Sequence, residues 1–99
     1  MRRRHEYLAI AVHPGDVLQE MLDELDVSQS ELARHLKTAV ARINEICRRR
    51  RGVSAEMAVV LGKAFGTSSG LWMNLQKNWE LSQVDPRLVK HIRPLKKSA

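Results

Sequence analysis

One predicted helix carries short polar side chains on one face and ends in a run of arginines. In the segment ARINEICRRRRG, the helical repeat of about 100° per residue points Asn44 and Glu45 away from the apolar Ile43 and Ile46. An amide and a carboxylate in such positions can bind base edges in a DNA major groove. The small side chain of Ala41 would let the helix come close to those bases. The arginines that follow can bind phosphates, which adds affinity without sequence specificity. The segment therefore predicts a base-contacting helix followed by a backbone-contacting loop.

The distribution of charge favours a polyanionic partner. The 99-residue chain has a net charge of +6, from 17 Lys and Arg against 11 Asp and Glu. Arginines cluster at Arg48–Arg51, whereas the segment Asp16–Glu31 is acidic. A basic centre of this kind is typical of a protein that binds nucleic acid. A solvated basic surface without such a partner is the alternative that the charge pattern alone leaves open.

Apolar residues recur at three- and four-residue spacing in five segments, which predicts an all-α fold of five helices. The segment HPGDVLQEMLDEL predicts the first helix, with Pro14 in its first turn and an apolar stripe that ends at Leu25. Ser28 and Glu31 have the spacing of a capping box at the start of the second helix. The third helix is expected to begin near Thr38, after a turn of about three residues, and this spacing is typical of a helix-turn-helix. An ordinary helical hairpin in a small bundle is the alternative.

Two further helices and two short ends complete the predicted domain. Ser54 is a suitable N-cap for the fourth helix, and Gly66 stands where a left-handed C-cap would end it. Asp85 and Pro86 are expected to begin a last short helix that runs through Ile92. We expect an N-terminal arm at 1–12, a DNA-binding domain at 13–82 and a basic C-terminal extension at 83–99.

The stripe on the predicted fifth helix offers both core and interface residues. Its two tryptophans exceed what the core of so short a chain needs. Aromatic residues are favoured where two copies of a protein meet. We expect Trp72 to lie mainly in the core, and we assign the dimer interface to Trp72, Leu75, Trp79 and Leu81.

Other kinds of chemistry find little support in the sequence. Cys47 is the only cysteine and has no catalytic signature around it, so we expect a half-buried structural residue. The four histidines lack metal-ligand spacing, and we expect no metal, no cofactor and no enzymatic activity. No apolar run approaches the roughly 18 residues of a membrane span, and the N-terminus does not resemble a signal peptide. We therefore expect a cytoplasmic protein that does not enter a membrane.

Longer stretches of the chain resemble a known family. LDVSQSELARHLKTAVARINEI is similar to the helix-turn-helix of lambda-repressor-like, Xre-type proteins. HPGDVL before it, and RRGVSAEMAVVLGKAFGTS and LWMNLQ after it, resemble HigA-type antitoxins, so that the similarity covers residues 13–81. The sequence departs from this pattern at Lys37, where the family often has a glycine in the turn. It also departs at Val40 and Ala41, where polar or basic residues that contact bases are common.

The resemblance implies a homodimer that binds a palindromic operator in double-stranded DNA and neutralises a HigB-type toxin, an mRNA ribonuclease. By position, Gln29 matches the family's phosphate-contacting glutamine. Two alternatives are an Xre-type regulator without a toxin partner and a basic module that binds RNA or an acidic protein. From the resemblance and the helical pattern together, the expected DNA-binding residues are Gln29, Ser30, Thr38, Ala39, Val40, Ala41, Arg42, Asn44, Glu45, Arg48, Arg49 and Arg50.

Overall fold

Five α-helices follow one another along residues 11–96, which are the residues that the computed structural model describes. No strand occurs in this part of the chain, so the prediction of an all-α fold with five helices is confirmed. The predicted N-terminal arm lies almost wholly outside the described residues. The helices are α1 (Pro14–Leu25), α2 (Gln29–Leu36), α3 (Val40–Cys47), α4 (Ala55–Phe65) and α5 (Ser69–Ser82), followed by a 3₁₀ turn at Pro86–Leu88.

Side-chain caps fix where the helices begin. The hydroxyl of Ser28 accepts the N–H of Glu31 at 3.0 Å and the Glu31 carboxylate accepts the N–H of Ser28 at 3.1 Å, so the predicted capping box is present. Ser54 and Ser68 cap α4 and α5 through their hydroxyl groups. His13 caps α1, since its Nδ1 accepts the N–H of Gly15 at 2.8 Å. Local sequence therefore sets these four helix starts.

The turn between α2 and α3 is made without glycine. Lys37 is the C-cap of α2 and adopts the left-handed conformation, with φ 56° and ψ 45°. Its N–H donates to carbonyl groups near the end of α2, and the N–H of Thr38 donates to the carbonyl of Ala33 at 2.9 Å. The left-handed conformation costs a non-glycine residue about 1–2 kcal/mol. Packing of the two helices offsets this cost, and the turn has the geometry that a helix-turn-helix requires.

The core lies where the five helices meet. Trp72 is fully buried at its centre, and its indole N–H donates to the hydroxyl of Thr67 at 2.9 Å. The expected core position of Trp72 is confirmed. Its additional assignment to a dimer interface is wrong, because a side chain without exposed surface offers nothing for a second copy to contact. The buried apolar set comprises Leu18, Leu22, Leu32, Ala33, Ile43, Ile46, Val53, Met57, Ala58, Leu61 and Trp72.

Two expectations about helix ends are wrong. Leu25, expected on the apolar stripe of α1, is 60% exposed at the last residue of that helix. The helix expected from Asp85 to Ile92 is a single 3₁₀ turn that ends at Leu88. Leu88 and Ile92 are both exposed, so no packing stabilises a longer helix, and a short isolated helix is unstable in water.

None of the helices within residues 11–96 is long and apolar enough to cross a membrane. The longest is α5, with 14 residues, and it combines polar and apolar residues.

Gly15 allows α1 to lie directly against the end of α3. It is buried in the first turn of α1, and a Cβ atom added to it would overlap the carbonyl oxygen of Ile46. That carbonyl also accepts the N–H of Arg49 at 3.0 Å, so it cannot move freely to make room. The packing of α1 on α3 therefore depends on the absence of a side chain here.

The substitution Gly15→Ala should lower the free energy of unfolding by about 1–3 kcal/mol, the usual cost of overpacking a core. Urea unfolding followed by circular dichroism measures the change. Gly70→Ala is the matched control, because the nearest atom to its added Cβ is the Ser68 Oγ at 3.7 Å. The control should be neutral or slightly stabilising, since alanine favours a helix over glycine. Equal effects of the two substitutions would contradict the close contact.

Candidate nucleic-acid interface

The third helix has one buried face and one that faces solvent. Ile43 and Ile46 are completely buried, as their spacing predicted. Val40 is 46% exposed and Ala41 is also exposed, so the start of α3 presents small apolar side chains to solvent. Asn44 is half-buried on the same helix. A face of this kind is narrow enough to enter a DNA major groove, where methyl groups can contact thymine.

Asn44 is held in place by side chains from α1 and α2. Its Nδ2 donates to the Gln29 Oε1 at 3.1 Å, and the Gln29 Nε2 donates to the Gln19 Oε1 at 2.7 Å. The Gln19 Nε2 in turn donates to the Asp23 Oδ1 at 2.9 Å. We call these four side chains the amide chain. The sequence does not indicate that Gln19 and Asp23 belong to this site, because they reach Asn44 only through the packing of three helices.

The first turn of α2 lies beside the amide chain. Gln29 and Ser30 are its first two helical residues, and Ser28 is its N-cap. Backbone N–H groups in a first helical turn have no partner within their helix, and the helix dipole adds partial positive charge there. Such an end can bind a phosphate. The expected phosphate contact at Gln29 thus has suitable backbone donors, although the Gln29 side chain is already engaged with Gln19 and Asn44.

The guanidinium group of Arg49 is hydrogen-bonded within the protein. Its Nε and Nη2 donate to the two carboxylate oxygens of Asp16 at 3.1 and 2.7 Å. The guanidinium also lies 5.5 Å from the ring centroid of Trp79, a cation–π distance. Arg49 has a φ of 62°, so its backbone is in the left-handed region as well. These contacts hold the loop after α3 against α1 and α5, and the phosphate contact expected of Arg49 stays a prediction.

The other arginines of this loop fall into two groups. Arg51 donates to the Glu45 carboxylate at 2.9 Å, so Glu45 must share or lose this ion pair to accept a hydrogen bond from a base. Arg48 and Arg50 are exposed, and neither forms an ion pair with another residue in the range 11–96. Arg48 and Arg50 are therefore the arginines best placed to bind phosphates.

Arg42, another expected contact, is half-buried. Its Nε is buried and has no hydrogen-bond partner among residues 11–96. Thr38 is also half-buried, and Ala39 is the exposed N-cap of α3. Of these three residues, only Ala39 is exposed.

A buried glutamine connects α5 to the end of the arginine loop, which is the segment 48–52 after α3. The Gln76 Oε1 accepts the N–H of Val53 at 2.6 Å, and the Gln76 Nε2 donates to the Glu80 carboxylate at 2.8 Å. Gly52 leaves the space that Gln76 occupies, since an added Cβ would lie 2.6 Å from the Gln76 Nε2. The position of the loop is therefore set at both of its ends, by Arg49 and by Gln76.

His13 lies under this loop as well as at the start of α1. Its ring packs edge-on against Trp79, with 5.1 Å between centroids. Burial lowers the pKa of His13, the nearby Asp16 carboxylate opposes this shift, and Arg49 adds to it. The neutral ring is the form that accepts the N–H of Gly15.

A reactive cysteine and a metal site are two further kinds of functional site to consider. Cys47 is half-buried, and burial together with Asp23 and Asp16 raises the pKa of its thiol to about 11. A thiol with this pKa is protonated at neutral pH and is a poor nucleophile. Within residues 11–96, no group of three or more His, Cys, Asp and Glu side chains could hold a metal ion.

Comparison with known proteins agrees with this geometry. The helix-turn-helix family matches residues 18–72. The chain belongs to the Xre-like helix-turn-helix family. Members of this family are DNA-binding regulators and antitoxins rather than enzymes. The lambda-repressor-like fold expected from the sequence is thereby confirmed.

Individual relatives cover nearly the whole chain. The uncharacterized HTH-type transcriptional regulator YddM of Escherichia coli is 38% identical over 83% of this chain and 88% of that regulator. The structure of the Pseudomonas aeruginosa antitoxin HigA with the higBA promoter is 41% identical and covers 88% of this chain and 100% of that one, with a TM-score of 0.82. An addiction-module antidote protein of the HigA family from Coxiella burnetii is 30% identical, covers 87% and 98% respectively, and has a TM-score of 0.81. The resemblance to HigA-type antitoxins is therefore confirmed.

The free energy of unfolding of this protein should decrease as the pH falls below about 6.5, the ordinary pKa of an imidazole. The folded state favours neutral His13, so the unfolded state binds a proton first and acid favours unfolding. Urea unfolding between about pH 7.5 and 5 measures this dependence, since this range extends further below 6.5, where the lowered pKa of His13 lies, than above it. His13→Asn should flatten the curve, whereas the exposed control His35→Asn should leave it unchanged. Parallel curves for His13→Asn and the parent chain would contradict this assignment.

Replacing Arg48 and Arg50 together with alanine should weaken binding to any duplex. Each lost phosphate contact should reduce the slope of log K against log salt by about 0.9. Fluorescence anisotropy on one duplex at several salt concentrations measures both quantities. The control is the double variant Lys63→Ala and Arg87→Ala, which removes the same charge from exposed positions on α4 and the 3₁₀ turn. An equal loss in the control would show a general charge effect rather than contacts at Arg48 and Arg50.

Proposed function

We propose that this protein is a HigA-type antitoxin that represses its own operon and neutralises a HigB-type ribonuclease toxin in the cytoplasm. The observation that carries the DNA-binding part is the exposed face of α3, on which Asn44 is held by Gln29 of the preceding helix. The antitoxin part is supported by the likeness to the HigA antitoxin over the whole of that chain.

On DNA, the proposed contacts divide by chemistry. The exposed residues at the start of α3 and Asn44 contact base edges, whereas the first turn of α2 and the loop arginines bind phosphates. Arg49 acts indirectly, because its ion pair with Asp16 holds the loop in position. Direct hydrogen bonds to bases are few, since Val40 and Ala41 are apolar and Glu45 is paired with Arg51. DNA shape therefore contributes to the choice of operator.

We propose that two copies bind the palindromic operator as a homodimer. A two-fold pair places its recognition helices about 34–36 Å apart, in successive major grooves. Leu81 is 65% exposed, and with Met73 and Val84 it lines a groove of about 450 Å³ along α5. This groove is a suitable apolar surface for a second copy. Leu75 and Trp79 are half-buried and can contribute only their exposed edges.

The acidic face of α1 is the surface that we propose for the toxin. Glu20 and Glu24 are exposed there, on a helix that has four acidic residues and no Lys or Arg. The N-terminal arm, expected to assist, lies outside the described residues. A folded surface suits this chain, because helices fill most of residues 14–82.

A regulator without a toxin is the second candidate. It is favoured by the relative YddM, whose name describes a transcriptional regulator and no antitoxin activity. The two candidates share the same DNA interface, so only a test for the toxin separates them.

Purification of the tagged protein at its native level from its own host tests the proposal. We expect a stoichiometric companion of roughly 100 residues, a typical small-domain size, that cleaves mRNA when it is separated. Glu20→Lys combined with Glu24→Lys should release it, whereas Glu56→Lys on α4 should not. Recovery of operator DNA alone would contradict the antitoxin part and favour a regulator. Recovery of RNA in place of a specific duplex would contradict both.

A further inference from the structure

The Asp23 carboxylate, at one end of the amide chain, determines the direction of the hydrogen bonds along it. An ionised carboxylate can only accept hydrogen bonds, whereas an amide side chain both donates and accepts. Asp23 therefore requires the NH₂ group of Gln19 to face it, and this leaves the Gln19 Oε1 to face Gln29. The opposite orientation would place the amide oxygen of Gln19 against the carboxylate, with no hydrogen between two acceptors.

The orientation of Gln19 in turn fixes the orientation of Gln29 and of Asn44 on α3, the proposed recognition helix. The Gln19 Oε1 accepts a hydrogen bond from the Gln29 Nε2, so the Gln29 Oε1 points to Asn44 and accepts from the Asn44 Nδ2. All three bonds are 2.7–3.1 Å long, within the normal range for N–H to O contacts. Reversal of the Gln19 or the Gln29 amide would break two of these bonds, and reversal of the Asn44 amide would break one, because two donors or two acceptors would then face each other.

This direction decides what Asn44 can offer to a base. One hydrogen of its Nδ2 is used by Gln29, so Asn44 presents the acceptor Oδ1 and the second hydrogen of Nδ2. Adenine complements this pair in the major groove, since its N6 donates and its N7 accepts. Guanine presents two acceptors there, O6 and N7, and its O6 would oppose the Asn44 Oδ1. A reversed Asn44 amide, with its NH₂ group facing outward, would suit guanine instead.

We propose that Asp23, acting through Gln19 and Gln29, orients the Asn44 amide and so makes α3 prefer adenine over guanine. Asp23 and Gln19 are positioning residues, since neither contacts the base itself. The inference rests on the proposed function in one respect, because it requires α3 to contact base edges. It adds a determinant of specificity on α1, outside the helix-turn-helix.

Selection from a random-sequence duplex library by the full-length protein tests this inference. The wild-type protein should enrich adenine at one position of each half-site, and Asn44→Ala should lose that preference. Asp23→Asn should reduce the preference for adenine over guanine about tenfold, because an asparagine can bind either orientation of Gln19. Asp26→Asn is the matched control, because it removes the same charge from an exposed aspartate at the C-cap of α1 and leaves the amide chain intact. The control should keep the adenine preference.

Two further variants separate positioning from a general effect on the fold. Gln19→Met breaks the amide chain without changing charge, and it should cause the same loss of preference as Asp23→Asn. In the Asn44→Ala background, Asp23→Asn should change the base preference no further. Binding to a duplex of unrelated sequence, which depends on phosphate contacts, should stay within about twofold of the Asp26→Asn control.

The outcomes distinguish this inference from the proposed function. Unchanged base preference in Asp23→Asn and Gln19→Met, with a loss in Asn44→Ala, overturns the inference and leaves the proposed DNA contacts standing. An effect of Asp23→Asn that persists in the Asn44→Ala background also overturns it, because the effect then does not pass through Asn44. A wild-type protein that enriches no sequence contradicts the proposed function itself and the inference with it.

Discussion

The contact between Gly15 and the carbonyl of Ile46 determines how the rest of the interface is arranged. Because no side chain separates them, the first turn of α1 lies directly on the end of α3. This approach brings Asp16 within reach of Arg49, and it places Gln19 one turn further along α1, where it reaches Gln29. The recognition helix is thus fixed from α1 as well as from α2. In a small protein, one backbone contact can set several side-chain contacts in this way.

The arginine loop shows that charge in a cluster can serve two purposes. Arg49 and Arg51 form ion pairs within the protein, whereas Arg48 and Arg50 project from the same loop into solvent. An exposed ion pair contributes little to stability alone. The contact between Arg49 and Trp79 adds a cation–π interaction, and Gln76 anchors the other end of the loop. The fixed arginines hold the loop in place, so the exposed ones keep a defined position relative to α3.

Asn44 illustrates how hydrogen bonds can convey specificity across a small domain. An amide with a free choice of orientation can pair with more than one base, because it can exchange donor and acceptor. A chain that ends in a carboxylate removes that freedom, since only one arrangement pairs every donor with an acceptor. Lys37 contributes in a different manner, because its left-handed conformation allows α2 and α3 to meet at the angle that brings Gln29 to Asn44. Backbone and side-chain geometry thus support the same contact.

The sequence by itself determined the five helices, the caps at Ser28 and Ser54 and the two faces of α3, because these depend on local propensity and on periodic burial. It also indicated the family, since its motifs extend along most of the chain. Only the tertiary structure decided that Trp72 has no surface left for an interface, that Arg49 pairs with Asp16 and that Gln19 supports Asn44. Each of these facts depends on the distance between helices far apart in sequence, which no local pattern specifies.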